Sequence, residues 1–257
     1  MGTSLFGSVI FGPVKSRRLG ISLGVNLLPV DNKLCSFNCI YCECGWAKSG
    51  MKPRFAPREV VKEELSSKLA EMRTEHLLPD VITFAGNGEP TMHPDFSAII
   101  DDTVEIRDRF APSAKIAVLS NATMIGNESV RDVLNKIDRN ILKLDSALEE
   151  TVKLIDDPLG NYDLRRTVEN MKKFHGSLII QTMSLRGEYQ GRKIDNTTEE
   201  EVDAWLKLVE EIKPRQVMIY TIDRETPAKN LHKVSIEELN AIAEKVRMRG
   251  IDCSVSG

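Results

Sequence analysis

Six short apolar runs punctuate the chain, at about residues 22–28, 81–86, 115–120, 140–145, 178–184 and 216–222. Val, Ile and Leu dominate them, as in VITFAG, KIAVLSN, ILKLDS and QVMIYTID. They lack the strict apolar–polar alternation of a half-exposed strand, which predicts strands covered on both faces. The segments between them have helical periodicity. Residues 57–77 place Val60, Val61, Leu65, Leu69 and Met72 on one stripe, with Pro57 suited to the first turn. Similar patterns run at about 95–109, 127–137, 147–156, 163–174, 198–212 and 235–249, and Pro214 stops the helix before it.

Alternating strand and helix predict an α/β fold built on a parallel sheet. Six units are too few for a closed eight-stranded barrel, and periodicity leaves a partial barrel and a doubly wound sheet both open. In either, residues at the C-terminal ends of the strands line the site. Polar side chains gather at those ends. The second run leads into Gly86, Asn87, Gly88 and Glu89, the third into Ser120 and Asn121, and the fourth into Asp145 and Ser146. The fifth carries Gln181 inside an apolar stretch, and the sixth ends near Tyr220, Thr221 and Asp223. The chain is expected to form a single domain over residues 1–257, with its core at about 20–225.

Composition narrows the function. A net charge of −3 and 5% aromatic residues argue against a protein that coats nucleic acid through bulk charge or base stacking. No apolar run approaches the roughly 20 residues of a membrane span. Lys15, Arg17 and Arg18 follow the first apolar stretch, the reverse of a signal-peptide order, so a cytoplasmic location is expected. The five cysteines change the picture most, because Cys35, Cys39, Cys42 and Cys44 crowd into ten residues. Crowding of that kind reads as metal or cofactor ligation rather than a disulfide framework.

Cys35, Cys39 and Cys42 form Cys-x3-Cys-x2-Cys in a loop bordered by Pro29, Asn32 and Asn38. Iron–sulfur clusters normally take four cysteines, so three would leave one iron open to a small molecule. A structural zinc site would recruit Cys44, but its x3, x2, x1 spacing fits no common zinc knuckle. A ferredoxin-like carrier also wants a fourth cysteine, and Cys44 lies too near Cys42 for it. Cys253 stands alone and reads as a buried thiol.

The triad, with Tyr41 just before its third cysteine, resembles the CxxxCxΦC signature of the radical S-adenosylmethionine (SAM) superfamily. GNGEPTMHPDF, from Gly86 to Phe96, resembles the GGEP motif of that family. The resemblance implies a partial (β/α)6 TIM-like barrel. It also implies a 4Fe-4S cluster on Cys35, Cys39 and Cys42, with S-adenosylmethionine on the open iron. Reductive cleavage then yields a 5′-deoxyadenosyl radical that takes hydrogen from substrate, with electrons from a flavodoxin or ferredoxin type of reductant. It further implies SAM contacts from Tyr41, Gly86, Asn87, Gly88 and Glu89. Asn87 stands where the pattern prefers glycine, and Asn tolerates left-handed backbone angles. Ser120, Asn121, Asp145 and Ser146 serve either as ribose contacts or as helix caps. Gln181 is either a contact or a satisfied core amide. His93, beside Pro94, reads as structural.

FGPVKSRRLGISLGVNLLP, from Phe11 to Pro29, together with LSNAT, LKLDS and YTIDRETP, resembles a narrower group that includes the tRNA wyosine synthases. Those enzymes hold a second cluster on cysteines upstream of the signature, and here no cysteine precedes Cys35. The acidic balance and short length favour a small molecule or peptide as substrate, with an RNA-modifying enzyme of wyosine type that needs a partner protein as the alternative and a non-catalytic iron–sulfur or metal-binding protein the reading from another class. Ser16–Arg18 reads either as a carboxylate or phosphate site or as a solvated surface pair. Arg186, Arg192 and Lys193 form a second basic cluster, and Asp223, Arg224 and Glu225 are expected to pair among themselves.

Overall fold

The computed structural model describes residues 5–47 and 53–257. An antiparallel pair opens the fold, β1 (Ile10–Ser16) and β2 (Gly20–Val25). Helix α1 (Arg58–Thr74) leads to β3 (Val81–Phe84), α2 (Phe96–Phe110) to β4 (Lys115–Ser120), and α3 (Glu128–Lys136) to β5 (Arg139–Lys143). Two helices, α4 (Glu149–Asp156) and α5 (Leu164–Lys172), precede β6 (Ile179–Tyr189). Beyond β7 (Arg192–Asp195), α6 (Glu199–Ile212) leads to β8 (Gln216–Thr221). After β9 (Leu231–Lys233), α7 (Ile236–Arg247) leads to β10 (Asp252–Ser256).

The sheet order is β1-β2-β3-β4-β5-β6-β8-β10, parallel from β2 onward. The sheet does not close, but it curls. Arg18, in the β1–β2 turn, stacks on Tyr220 of β8, and Arg17 donates to the Gly257 carbonyl just past β10. Contacts between opposite edges make a partial barrel, one of the two architectures that the alternation left open and the one that the family resemblance implied.

The missing alternation has a direct cause. Ile82, Phe84, Ile116, Val118, Leu142, Leu144, Ile180, Val217 and Ile219 point outward into the helix layer, where burial of each aliphatic side chain contributes about 1.5–3 kcal/mol. Val81, Ala117, Ile141, Ile179 and Met218 point inward and fill the lower barrel with Leu19. Both faces are covered, so both are apolar. On α1, Val61, Leu65, Leu69 and Met72 are buried, whereas Val60 is not. Pro57 is the N-cap rather than a first-turn residue.

Three strand expectations need correction. The first run ends at Val25, because Asn26 folds back, its side chain donating to the Leu28 carbonyl at 3.0 Å and accepting from the Leu28 amide at 3.2 Å. The fifth run continues past Ser184 to Tyr189, where it leaves the barrel and pairs with β7 and β9. A seventh parallel strand, β10, went unread because Asp-Cys-Ser-Val-Ser has no apolar run. Cys253 lies in it as a buried thiol pushed up to about 12 by burial.

Candidate active site

Strand parity aims the polar residues. Alternate side chains of a strand share a face, so the inward series runs Ile141, Lys143, Asp145 on one strand and Ile179, Gln181, Met183 on the next. Lys143 and Gln181 are paired in the ladder. The third series, Met218 and Tyr220, completes the arc. Above the apolar lower layer, these positions turn polar and open into a cavity of 230 Å³.

The cysteine loop closes the top of that cavity, and its backbone is docked on two sides. Leu34 donates to the Asn87 carbonyl at 2.8 Å and accepts from the Glu89 amide at 3.1 Å, a parallel bridge to Gly88. On the far side, Asn38 donates to the Asp157 carbonyl at 2.9 Å and Ile40 to that of Ile155 at 2.9 Å. Gly88 has φ +141°, and a Cβ there would collide with the Leu34 carbonyl oxygen; at Gly86 it would strike the Asn26 amide. The two glycines thus let protein pack on protein.

Glu89 and Asn121 fasten the same loop through side chains. Glu89 is fully buried, accepting from Thr91 and, at 2.6 Å, from the Asn121 amide. Burial raises its pKa against those donors. The Asn121 side chain donates to the Ser36 hydroxyl at 2.9 Å and reaches the Cys35 Sγ at 3.5 Å.

Cys35, Cys39 and Cys42 line the cavity together with Tyr41, Gly86, Gly88, Glu89, Ser120, Asn121 and Gln181. Tyr220, which the sequence placed at the polar end of its strand, lines it too, as do Lys33 and Lys143, which the sequence reading missed. The parity of the strand was the signal for Lys143, two positions from Asp145. Lys33 carried no such signal, since it lies in a loop.

Each buried cation has its own set of partners. The Lys33 ammonium donates to the Gly45 carbonyl at 3.1 Å, and although burial opposes its charge, the thiols of Cys42, Cys35 and Cys39 raise its pKa. Cys42 is held down at about 6, first by the Cys44 thiol and, against burial, by Lys33. Burial pushes Cys35 up to about 11 and Cys39 upward as well. The Lys143 ammonium meets Asp145, the Tyr41 hydroxyl and, at 2.9 Å, Asp156. Burial opposes its charge, but the two carboxylates keep its pKa well above the ordinary value.

Asn87, Asp145 and Ser146 do not reach the cavity wall. Asn87 keeps a negative φ, so the left-handed tolerance expected of it goes unused. Its side chain instead ties Phe6 and the Pro29 carbonyl to the sheet. Asp145 stands behind Tyr41 and Lys143 and accepts from the Met183 amide at 2.9 Å. Ser146 faces outward, donating to Glu201 at 2.6 Å and accepting from the Leu148 amide. His93 is structural, with Nε2 donating to the Ala56 carbonyl and Nδ1 accepting from the Asp95 amide. Asp223 pairs with Arg17 and Lys233, and Arg224 with Glu43, so these two residues take partners outside the 223–225 segment. Arg186 is held by Asp195 and Glu238, and Arg192 by Glu150.

These residues suit a cluster with one open iron. Three thiols face one cavity, while the Cys44 thiol, beside Cys42 and 3.3 Å from the Gly86 carbonyl, is not part of its wall. Among the described residues, no group of three His, Cys, Asp or Glu closes on a point that a single metal ion would occupy.

The radical SAM superfamily model matches residues 32–190, from the cysteine loop through β6. The chain is 32% identical over 234 residues to a Brachyspira hyodysenteriae protein named GTPase Obg, covering 90% of this chain and 32% of that one. This sequence has no Gly-Lys pair and hence no phosphate loop of the GxxxxGK type. It is 30% identical over 242 residues to a UPF0026 protein of Methanocaldococcus jannaschii, covering 91% of this chain and 70% of that one. A solved radical SAM methyltransferase from Sphaerobacter thermophilus matches with a TM-score of 0.68 at 14% identity, over 91% of this chain and 65% of that one. An archaeal TYW1 matches with a TM-score of 0.51 at 15% identity, over 89% and 72%. At those identities the likeness is one of fold. With cysteine loop, curled sheet and family match in agreement, the chain belongs to the radical SAM superfamily and, within it, stands with the UPF0026 proteins.

Proposed function

We propose that this protein cleaves S-adenosylmethionine at a 4Fe-4S cluster held by Cys35, Cys39 and Cys42, and takes hydrogen from a small-molecule or peptide substrate. One observation carries the reading: the three thiols share a single cavity with Glu89, Asn121, Lys143, Gln181 and Tyr220. Bound there, the cluster and SAM supply reductive cleavage of a sulfonium and, with it, a hydrogen-abstracting carbon radical.

The rest falls to the chain's own residues. The docked loop holds the three thiols on one wall. Lys33 offsets thiolate charge beside them. Gln181 and Tyr220 offer amide and hydroxyl groups for orienting SAM or substrate, while Asp145 and Asp156 fix the Lys143 ammonium between them. The apolar lower layer excludes water from below. Asn87, Asp145 and Ser146 act as positioning residues in this reading.

The net charge of −3 supports a small or peptidic substrate over bulk RNA binding. The likeness to the archaeal TYW1 is no nearer than that to the methyltransferase and brings no substrate with it. A flavodoxin or ferredoxin type of electron donor and a reducing cytoplasmic setting complete the proposal, in keeping with five free cysteines.

The test is anaerobic. Reconstituted protein is reduced with dithionite, SAM is added, and the electron paramagnetic resonance signal and 5′-deoxyadenosine are measured. A signal that shifts with SAM, together with 5′-deoxyadenosine, is the expected result. An unchanged signal without cleavage would leave a cluster-binding relative with no SAM chemistry.

A further inference from the structure

The Arg17–Arg18 pair occupies a turn whose two side chains meet opposite fates. Ser16 accepts from the backbone amides of Arg18 and Leu19, at 3.3 Å and 3.2 Å, and so fixes the turn. Leu19 packs against the inward Val81, Ala117, Ile141, Ile179 and Met218, plugging the turn into the open side of the barrel. Arg17 faces solvent, donating to the Gly257 carbonyl at 3.0 Å and pairing with Asp223 at 3.6 Å.

Arg18 faces in. Its guanidinium lies 4.4 Å from the centre of the Tyr220 ring, and Nη1 is buried with no hydrogen-bond acceptor. Tyr220 is itself a wall of the cysteine-lined cavity, beside Gln181 and Lys143. The other cations of that interior are matched: Lys143 by Asp145 and Asp156, Lys33 by the Gly45 carbonyl and the thiols. Among the described residues, Arg18 has no carboxylate partner. A buried donor left unmatched is costly. A planar guanidinium stacked on an aromatic ring keeps its donor edge free for a two-pronged bond to an oxyanion.

We infer that Arg18 is the anion-binding end of a substrate site inside the barrel, taking the carboxylate or phosphate group of a small-molecule substrate. The cysteine loop occupies one end of this interior, and Arg18 reaches it from the β1–β2 turn over Tyr220 of β8. A molecule held by Arg18 over Tyr220 therefore extends toward the cavity wall that carries Gln181 and Lys143. This assignment rests on the radical SAM reading above and names the substrate class for the same site.

The test uses cluster-loaded, SAM-bound protein kept anaerobic, with acetate and inorganic phosphate titrated at constant ionic strength and thermal stability as the readout. Wild type and Arg17→Gln should be stabilised alike by one of the two anions, and which one identifies carboxylate or phosphate. Arg18→Gln should need about tenfold more of it, because a charge-assisted fork is lost. Arg18→Lys keeps the charge over Tyr220 and protects against a merely misfolded variant; it should bind several-fold more weakly, about threefold or more. Equal response in wild type and both Arg18 variants, or no response of wild type to either anion, overturns the assignment. The spectroscopic response to SAM, recorded on the same samples, separates the two failures. Its loss in wild type sinks the parent reading, and its persistence without Arg18 dependence sinks only this one.

Discussion

Two residues along one strand separate the inert half of the barrel interior from the reactive half. Ile141 is buried in the lower layer among Val81, Ala117, Ile179 and Met218. Lys143, the next inward residue, is a buried cation held between Asp145 and Asp156. The same step separates Ile179 from Gln181 and Met218 from Tyr220. Both halves share backbone, ladder and outer helix layer, so the contrast lies wholly in the inward side chains. In the lower half, each contact is non-directional and replaceable by another of similar volume. In the upper half each polar group needs its own partner, because an uncompensated charge or donor is costly at that depth. Tolerance to substitution should therefore change sharply over a single pleat.

The contrast can be tested from its largest expected effect downward. Cys39→Ala should abolish cluster loading and SAM cleavage altogether, measured as iron and sulfide content and 5′-deoxyadenosine; a retained cluster would break the ligand assignment. Lys143→Met preserves volume but strands two buried carboxylates, so it should cost about 3–5 kcal/mol in chemical denaturation. Ile141→Ala, one pleat below, should cost about 2–5 kcal/mol while the spectroscopic response to SAM stays at the wild-type level. A lost SAM response in that variant would erase the division between the two halves.

The smallest effect lies outside the barrel, at Asp102 between α1 and α2. Arg58 binds its carboxylate at 2.6 Å and 3.0 Å, and Lys62 at 3.0 Å. The Arg58 hydrogen bonds, aided by Lys62 and opposed by burial, hold its carboxyl below the ordinary aspartate range. A depressed folded-state value contributes stability above the unfolded pKa and loses it as pH falls through the lowered one. Both cations are substantially exposed, so the contribution should be about 1 kcal/mol. Asp102→Asn should lose it at neutral pH and be less acid-sensitive below about pH 4, followed by thermal melts across that range.

Much of this was legible from residue order alone. Four crowded cysteines and, among the described residues, all seven helices and six of the seven parallel strands announced themselves, because periodicity and spacing are local properties. Gln181 stood out as a polar residue in an apolar run, and it does line the cavity. Lys143 was passed over although it alternates with Asp145, because a lysine at a strand end reads first as a solvated charge. Asn87 and Ser146 were grouped with the site because they neighbour Gly86 and Asp145. Yet neighbours along a strand point to opposite faces, and Ser146 accordingly meets Glu201 of α6.

The sequence by itself determined the crowding of the cysteines, the strand–helix order and the end of the sheet at which polar groups collect, since each depends on residues close together in the chain. Only the tertiary structure decided what those groups do for one another. Leu34 meets Gly88, Asn121 meets Ser36, Lys143 meets Asp156, and Arg18 lies over Tyr220 across the gap of the barrel. Such pairings depend on how far the sheet curls and how its strands are staggered. Curl and stagger are set by the packing of every strand at once, and no local stretch of sequence carries them.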